Sequence, residues 1–117
     1  MQHLATNIND LNSLVLEGEA LAAFDKYYHE NVVMQENNNE PTVGKATNRK
    51  REELFFSNIV EFRGAQPLQV TVGDNTTMVL WKYDYTHKEW GVRDYTQVSV
   101  QTWNDGKIIR EQFFYGN

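Results

Sequence analysis

The stretch QVSVQTWNDGKIIREQFFYGN, Gln97 to Asn117, decides how this chain folds. Asp105-Gly106 is a two-residue hairpin signal between two runs rich in β-branched and aromatic residues. Centring the turn there sets Asn104 against Lys107, Thr102 against Ile109, Val100 against Glu111, Val98 against Phe113 and Thr96 against Tyr115. Opposed residues share one face of a sheet. This set is largely apolar. The other set pairs Trp103 with Ile108, Gln101 with Arg110, Ser99 with Gln112 and Gln97 with Phe114, and is largely polar. Glu111 is therefore expected on the apolar face, where an ionised, unpaired carboxylate is costly.

Working outward, Lys88-Glu89 reads as the tip of the preceding hairpin. That tip opposes Tyr85 to Val92, Tyr83 to Asp94, Trp81 to Thr96 and Val79 to Val98, so Thr96 and Val98 fall inside in both hairpins. A turn at Gly73-Asp74-Asn75 adds Leu68 and Val70 to the inner face. An odd loop at the second hairpin would reverse every side chain. The long strands are expected at roughly Thr77 to His87, Val92 to Trp103 and Lys107 to Tyr115, as an antiparallel meander.

The first half has helical periodicity. Leu4, Ile8, Leu11 and Val15 recur at three- and four-residue steps up to Gly18, and Ala20, Leu21, Phe24 and Tyr28 form the face of a second helix. A short strand, Val32-Val33-Met34, precedes the turn-rich run Glu36 to Gly44. A third helix is expected from about Ala46 to Phe62, with Leu54, Phe55, Ile59 and Phe62 inward. Its Lys45, Arg49, Lys50 and Arg51 read as a solvated face. Three helices followed by a sheet make a single α+β domain over residues 1–117.

Composition supports that size. The 117 residues, 40% hydrophobic and 13% aromatic, suffice for one core. A formal net charge of −5 argues against nucleic acid or an anionic membrane as partner. Without cysteine there is no disulfide, thiolate chemistry or cysteine metal site, and a reducing, cytoplasmic setting fits. The N-terminal MQHLATNINDL lacks the pattern of a signal peptide. His3, His29 and His87 are scattered, at a terminus, a helix end and a hairpin tip, and none is expected on the inner face. No metal or other cofactor is expected.

Two carboxylates, Asp94 and Glu111, thus share the expected inner face with the Tyr83, Tyr85 and Tyr115 hydroxyls. The plain readings are that Asp94 reaches water at the open end of its strand, and that a tyrosine or Arg51 holds Glu111 as a buried structural pair. The other reading is an aromatic cavity with a few polar groups, the usual form of a small-molecule site.

The segments FDKYYHENVVMQEN, VGKATNRKREELF and QVSVQTWNDGKIIREQFFY together resemble the SnoaL-like domains of the nuclear-transport-factor-2-like superfamily. The resemblance covers the whole chain. It implies three helices packed into a strongly curved antiparallel sheet, a cone with a central pocket. Relatives of this kind include ketosteroid isomerases, polyketide cyclases, limonene-epoxide hydrolases and domains that only bind. By resemblance to the isomerases, Glu36 falls at the general base and Tyr28 at an oxyanion donor. The acid that epoxide hydrolases carry on the last strand is replaced by Phe113, leaving Glu111 one inward step earlier. The resemblance implies a cofactor-free isomerase, cyclase or dehydratase acting on a small apolar molecule, or a domain that only binds one. The catalytic candidates are Glu36, Glu111, Tyr28 and Asp94. The ligand-lining candidates are Met34, Phe55, Trp81, Tyr83, Val98, Val100, Phe113 and Tyr115. The outer face, with Gln97, Ser99, Gln101, Trp103, Arg110, Gln112 and Phe114, is expected to form a homodimer contact.

Overall fold

A computed structural model describes residues 3–116. Met1, Gln2 and Asn117, the ends of the expected 1–117 domain, lie outside the described residues. The elements run α1 (Leu4–Leu16), α2 (Ala20–Tyr27), β1 (Tyr28–Glu36), β2 (Thr42–Val43), α3 (Lys45–Ser57), β3 (Ile59–Val72), β4 (Thr76–His87), β5 (Gly91–Asn104) and β6 (Lys107–Phe114). The strands form one curled, unclosed sheet in the order β2-β1-β6-β5-β4-β3. Every neighbouring pair is antiparallel except β1 and β6, which run parallel. Parallel pairing needs a long connection, and everything between β1 and β6 supplies it.

The apolar periodicity of α1 works as expected: Leu4, Ile8 and Leu11 are buried, and Gly18 follows with φ +80°. They meet Ala23, Phe24 and Tyr27 of α2, and Val32, Met34, Val79, Trp81, Trp103 and Ile108 of the sheet. Ile8, Val32, Val79 and Ile108 are wholly buried. Each such side chain stabilises the fold by roughly 1.5–3 kcal/mol. Among the described residues, no helix is long and apolar enough to cross a membrane.

Two element boundaries differ from expectation. Tyr28, expected on the second helix, opens β1 with extended backbone (φ −94°, ψ 134°). The third helix stops at Ser57, because Ile59 already pairs with His87 across β3 and β4. Phe62 therefore lies on a strand and Leu54 faces solvent, both more than half exposed. The inward stripe of α3 is instead Asn48, which is buried, with Glu52 and Phe55, which are partly buried, spaced i, i+4, i+7. Asn48 donates to the Val32, Thr42 and Gly44 carbonyls, while Phe55 packs on Tyr85.

The register of the sheet differs in two places. At the β5–β6 turn, Asp105 and Gly106 both have positive φ, as a type I′ turn requires, and Asn104 opposes Lys107 as expected. A bulge then leaves Ile109 as the extra residue: Trp103 opposes Ile108, but Thr102 opposes Arg110 and Gln101 opposes Glu111. At the β4–β5 hairpin, His87 opposes Gly91, so the loop is the three residues Lys88, Glu89 and Trp90, with Gly91 at φ +74°. Three-residue loops favour a glycine in that conformation. The odd count turns β5 over. Ser99, Gln101 and Trp103 are buried on the concave face, and Gln97 shares it as the partner of Trp81. Val98, Val100 and Asp94 lie on the convex face, contrary to expectation.

The convex face is correspondingly more apolar than the sequence implied. Met78 opposes Val100, Leu80 opposes Val98, and Val98 opposes Phe114. Met78 and Phe114 are 45% and 42% exposed.

Candidate functional site

The concave face brings Glu111 and Tyr28 together. Glu111 points inward from β6, 3% exposed, and accepts hydrogen bonds from the Tyr28 hydroxyl on Oε1 and from Gln101 Nε2 on Oε2 (2.8 Å). Behind Gln101, its Oε1 accepts from the Thr77 hydroxyl at 2.7 Å, and that hydroxyl accepts from Trp103 Nε1 at 2.8 Å. Each buried polar side chain in this series from Trp103 to Glu111 has a partner, which keeps its burial from being prohibitive. Burial nonetheless pushes the Glu111 carboxyl up to about 7, because the hydrogen bonds from Tyr28 and Gln101 offset only part of the lost hydration. Burial and the neighbouring Glu111 charge hold the Tyr28 phenol well above its ordinary value.

A second interior carboxyl is Glu52 of α3. Enclosed by protein, it still keeps part of its surface open, and it makes no hydrogen bond or ion pair among the described residues. Burial, then the charges of Glu111 and Glu36, push it up to about 7, against a small opposing pull from Arg51. The same low-dielectric interior thus displaces both carboxyls upward, and the Glu111 charge adds to the displacement of Glu52.

Aromatic rings continue the concave surface beyond these acids. Trp81 stacks on Tyr83 (5.3 Å), which leans on Tyr95 (5.9 Å), and Tyr95 on Tyr115 (5.7 Å). Burial, followed by the Tyr95, Glu111 and Glu52 charges, raises the Tyr83 phenol well above its ordinary value. At the far end of β4, Phe55 stacks on His87 (5.8 Å), and Trp90 lies flat against His87 at 3.8 Å. The Lys88 amide donates to the Asn58 carbonyl at 2.7 Å, tying this hairpin tip to the end of α3.

The expected site residues thus divide. Tyr28, Glu111, Met34, Trp81, Tyr83, Phe113, Tyr115 and Phe55 are gathered on or against the concave face. Met34 and Glu36 adjoin Glu111 and Phe113 across the β1–β6 pairing. Glu36 sits at the rim, accepting from the Tyr115 hydroxyl at 2.9 Å and 3.5 Å from Arg51. Arg51 therefore pairs with Glu36 and not with Glu111. Asp94 is on the convex surface, bonded to Lys82, and Val98 and Val100 point away from the interior with it, for the register reasons above. His87, expected off the inner face, is buried on it, its Nδ1 accepting from the Glu89 amide at 3.1 Å. A separate concavity of about 780 Å³ lies between the first turn of α1 and the Gly73–Asn75 and Asp105-Gly106 turns, and contains none of the expected site residues.

Sequence reasoning missed Glu52 and Gln101. Glu52 sits in RKREEL, where the run of charges hides an inward position. The available signal was the i, i+4, i+7 spacing of Asn48, Glu52 and Phe55. Gln101 was turned outward by the register error.

No curated protein matches this chain. Solved structures do, at identities that speak for fold alone. A protein from Mesorhizobium loti, provisionally named a SnoaL-like polyketide cyclase, superposes with TM-score 0.86 at 24% identity over 96% of this chain and 98% of its own. A Xanthomonas campestris protein of unknown function with a cystatin-like fold gives 0.82 at 11%, covering 97% and 90%. A provisionally named isomerase from Bacillus subtilis gives 0.76 at 18%, covering 96% and 85%. The SnoaL-like domain family itself matches residues 5–115, which is nearly the whole chain, and by that match the chain belongs to the SnoaL-like domain family.

Proposed function

We propose that this chain is a cofactor-free acid–base catalyst that moves a proton on a small apolar carbonyl compound held against the concave face. The observation that carries this reading is the pairing of two unlike interior carboxyls. Glu111 is fixed by two hydrogen bonds, whereas Glu52 has none and keeps an open surface. A free carboxyl whose titration lies near neutral pH suits a general base, because it is both available and basic enough. In this reading Glu52 takes the proton from carbon and returns it as its conjugate acid. Glu111 and Tyr28 hold the carbonyl end, and Trp81 and Tyr83 supply the apolar wall. Isomerase, cyclase and dehydratase chemistry all begin with such a transfer, and a cytoplasmic location accords with it.

The test needs no natural substrate. Exchange of the α-protons of 2-tetralone for deuterium, followed by NMR, should exceed the buffer rate, rise with pH through about 7, and be lost in Glu52→Gln. A second reading, that the face only binds, is favoured by the two Glu111 oxygens being already occupied. Saturable binding of 2-tetralone without exchange above buffer would decide for it.

We also propose that the convex face pairs with a second copy of the chain. Met78, Leu80, Val98, Val100 and Phe114 form neighbouring apolar rows there, and a two-fold pairing would cover both copies at once. Sedimentation should show a dimer that Val100→Asp dissociates; a wild-type monomer at high concentration refutes the pairing.

A further inference from the structure

Arg49, Arg51, Arg63 and Arg110 each donate to side-chain oxygens. Arg93 of β5 is the exception: among the described residues it makes no hydrogen bond or ion pair, and it lies over the Tyr95 ring, 4.6 Å from the centroid. A ring face attracts the charge but offers the five guanidinium donors no oxygen. The pleat of the sheet is the cause. Arg93 opposes Tyr85 and shares the concave face with Tyr83 and Tyr95, whereas the nearby acids Asp84 and Asp94 point to the convex face and are taken by Arg63 and Lys82. β6 reaches along β5 only as far as Val98, so Arg93 stands at the open end of the concave face, partly exposed. Burial, then the charge and hydrogen bond of Glu36, push the Tyr115 phenol up to about 12 against a pull from Arg93, which places the cation near that hydroxyl as well.

We propose that Arg93 receives an anionic end of the ligand, which is an apolar keto acid whose carboxylate takes two parallel hydrogen bonds from the guanidinium at the mouth of the concave face. The proposal rests on the concave face being the ligand site. The planar fork of arginine matches a carboxylate edge to edge, and the donors of Arg93 are accessible for it. Two short steps lead inward from there. The Tyr95 ring is 5.9 Å from that of Tyr83, and the Tyr83 phenol, raised first by burial, is raised further by Tyr95, Glu111 and Glu52. An apolar body laid along these rings would carry its far end to the interior acids. Those acids repel an anion while Arg93 attracts it, so both ends of the face favour one orientation, carboxylate outward and ketone inward.

Two-ring probes separate the possibilities by calorimetric titration: 2-naphthoate, an anion, and 2-naphthamide, its neutral counterpart of equal shape. At about pH 6, Glu111 and Glu52, which ionise at about 7, are mainly protonated. The wild type should prefer the naphthoate by about tenfold, the low end for charge-assisted hydrogen bonds because Arg93 is partly exposed. Raising salt from about 50 mM to about 500 mM should narrow that preference. Arg93→Gln should bring the two affinities within about twofold. Arg93→Lys keeps the charge without the fork and should retain a preference of about threefold. A full preference in Arg93→Gln, or one that salt does not change, overturns the proposal by showing that another group holds the carboxylate. Equal wild-type affinities, or a preference for the amide, overturn it while leaving the concave site standing. Failure of both probes to bind overturns the site and this contact together.

Discussion

Titrating the folded chain from pH 5 to pH 8 tests the interior acids directly. Asp10 and Asp25, held below 3.8 chiefly by hydrogen bonds from Lys26 and Arg49, are already ionised at pH 5 and stay so. Glu111 ionises at about 4.5 in the unfolded chain and at about 7 in the fold. Between those values the native state binds the proton that the unfolded state has released, so stability falls as pH rises. The stabilisation is fully present below 4.5 and is lost as the pH passes 7. At about 1.4 kcal/mol per pH unit, that displacement amounts to about 3 kcal/mol from Glu111, with Glu52 adding to it in the same direction. For a chain of this length the loss corresponds to a fall of about 10 °C in Tm. Urea and thermal melts at pH 5, 6, 7 and 8 read it out. Glu111→Gln cannot ionise, so its share of the slope should vanish, even though its amide meets the Gln101 amide and costs some stability at every pH. A wild-type stability that is level or rises between pH 5 and 8 would refute the reasoning. So would a Glu111→Gln variant with the full wild-type slope.

Three further outcomes are expected. Trp103→Phe removes the indole donor to Thr77 and should cost about 2 kcal/mol in urea denaturation, from one lost buried hydrogen bond plus a small void. Asp94→Asn should change stability by less than about 0.5 kcal/mol and leave the α-proton exchange of 2-tetralone unaltered, because Asp94 and Lys82 meet on the exposed convex surface. Phe55→Ala should loosen the β4–β5 hairpin tip by deleting its contacts with Tyr85, His87 and Trp90, seen as faster amide hydrogen exchange at residues 88–91.

The sequence was legible where the signal is local and strong. The α1 stripe, the Asp105-Gly106 turn and the alternation of β4 all correspond to the structure, because helical period, type I′ chemistry and strand period each depend on neighbouring residues. Register was not legible, because a single added residue reverses a strand and nothing in the pattern counts residues in a loop. The Lys88–Trp90 loop has three residues rather than two, which turned β5 over and carried Asp94, Val98 and Val100 outward. Glu111 was nevertheless placed on the right side, because the extra residue at Ile109 introduces a second slip that cancels the first. Its partner was wrong while its face was right. Glu52 was hidden for a different reason: α3 buries a polar stripe, and hydropathy cannot flag an inward carboxyl in a helix whose apolar residues Leu54 and Phe56 point to water.

The chain of hydrogen bonds from Trp103 to Glu111 runs in one direction. An indole nitrogen can only donate, so Thr77 must accept from it and pass its own hydrogen to Gln101. The Gln101 amide is thereby oriented with its nitrogen toward Glu111 Oε2. That oxygen always faces a hydrogen, as Oε1 faces the Tyr28 hydroxyl. A tryptophan on the neighbouring strand β5 thus decides, through two intervening side chains, which end of the Gln101 amide Glu111 meets.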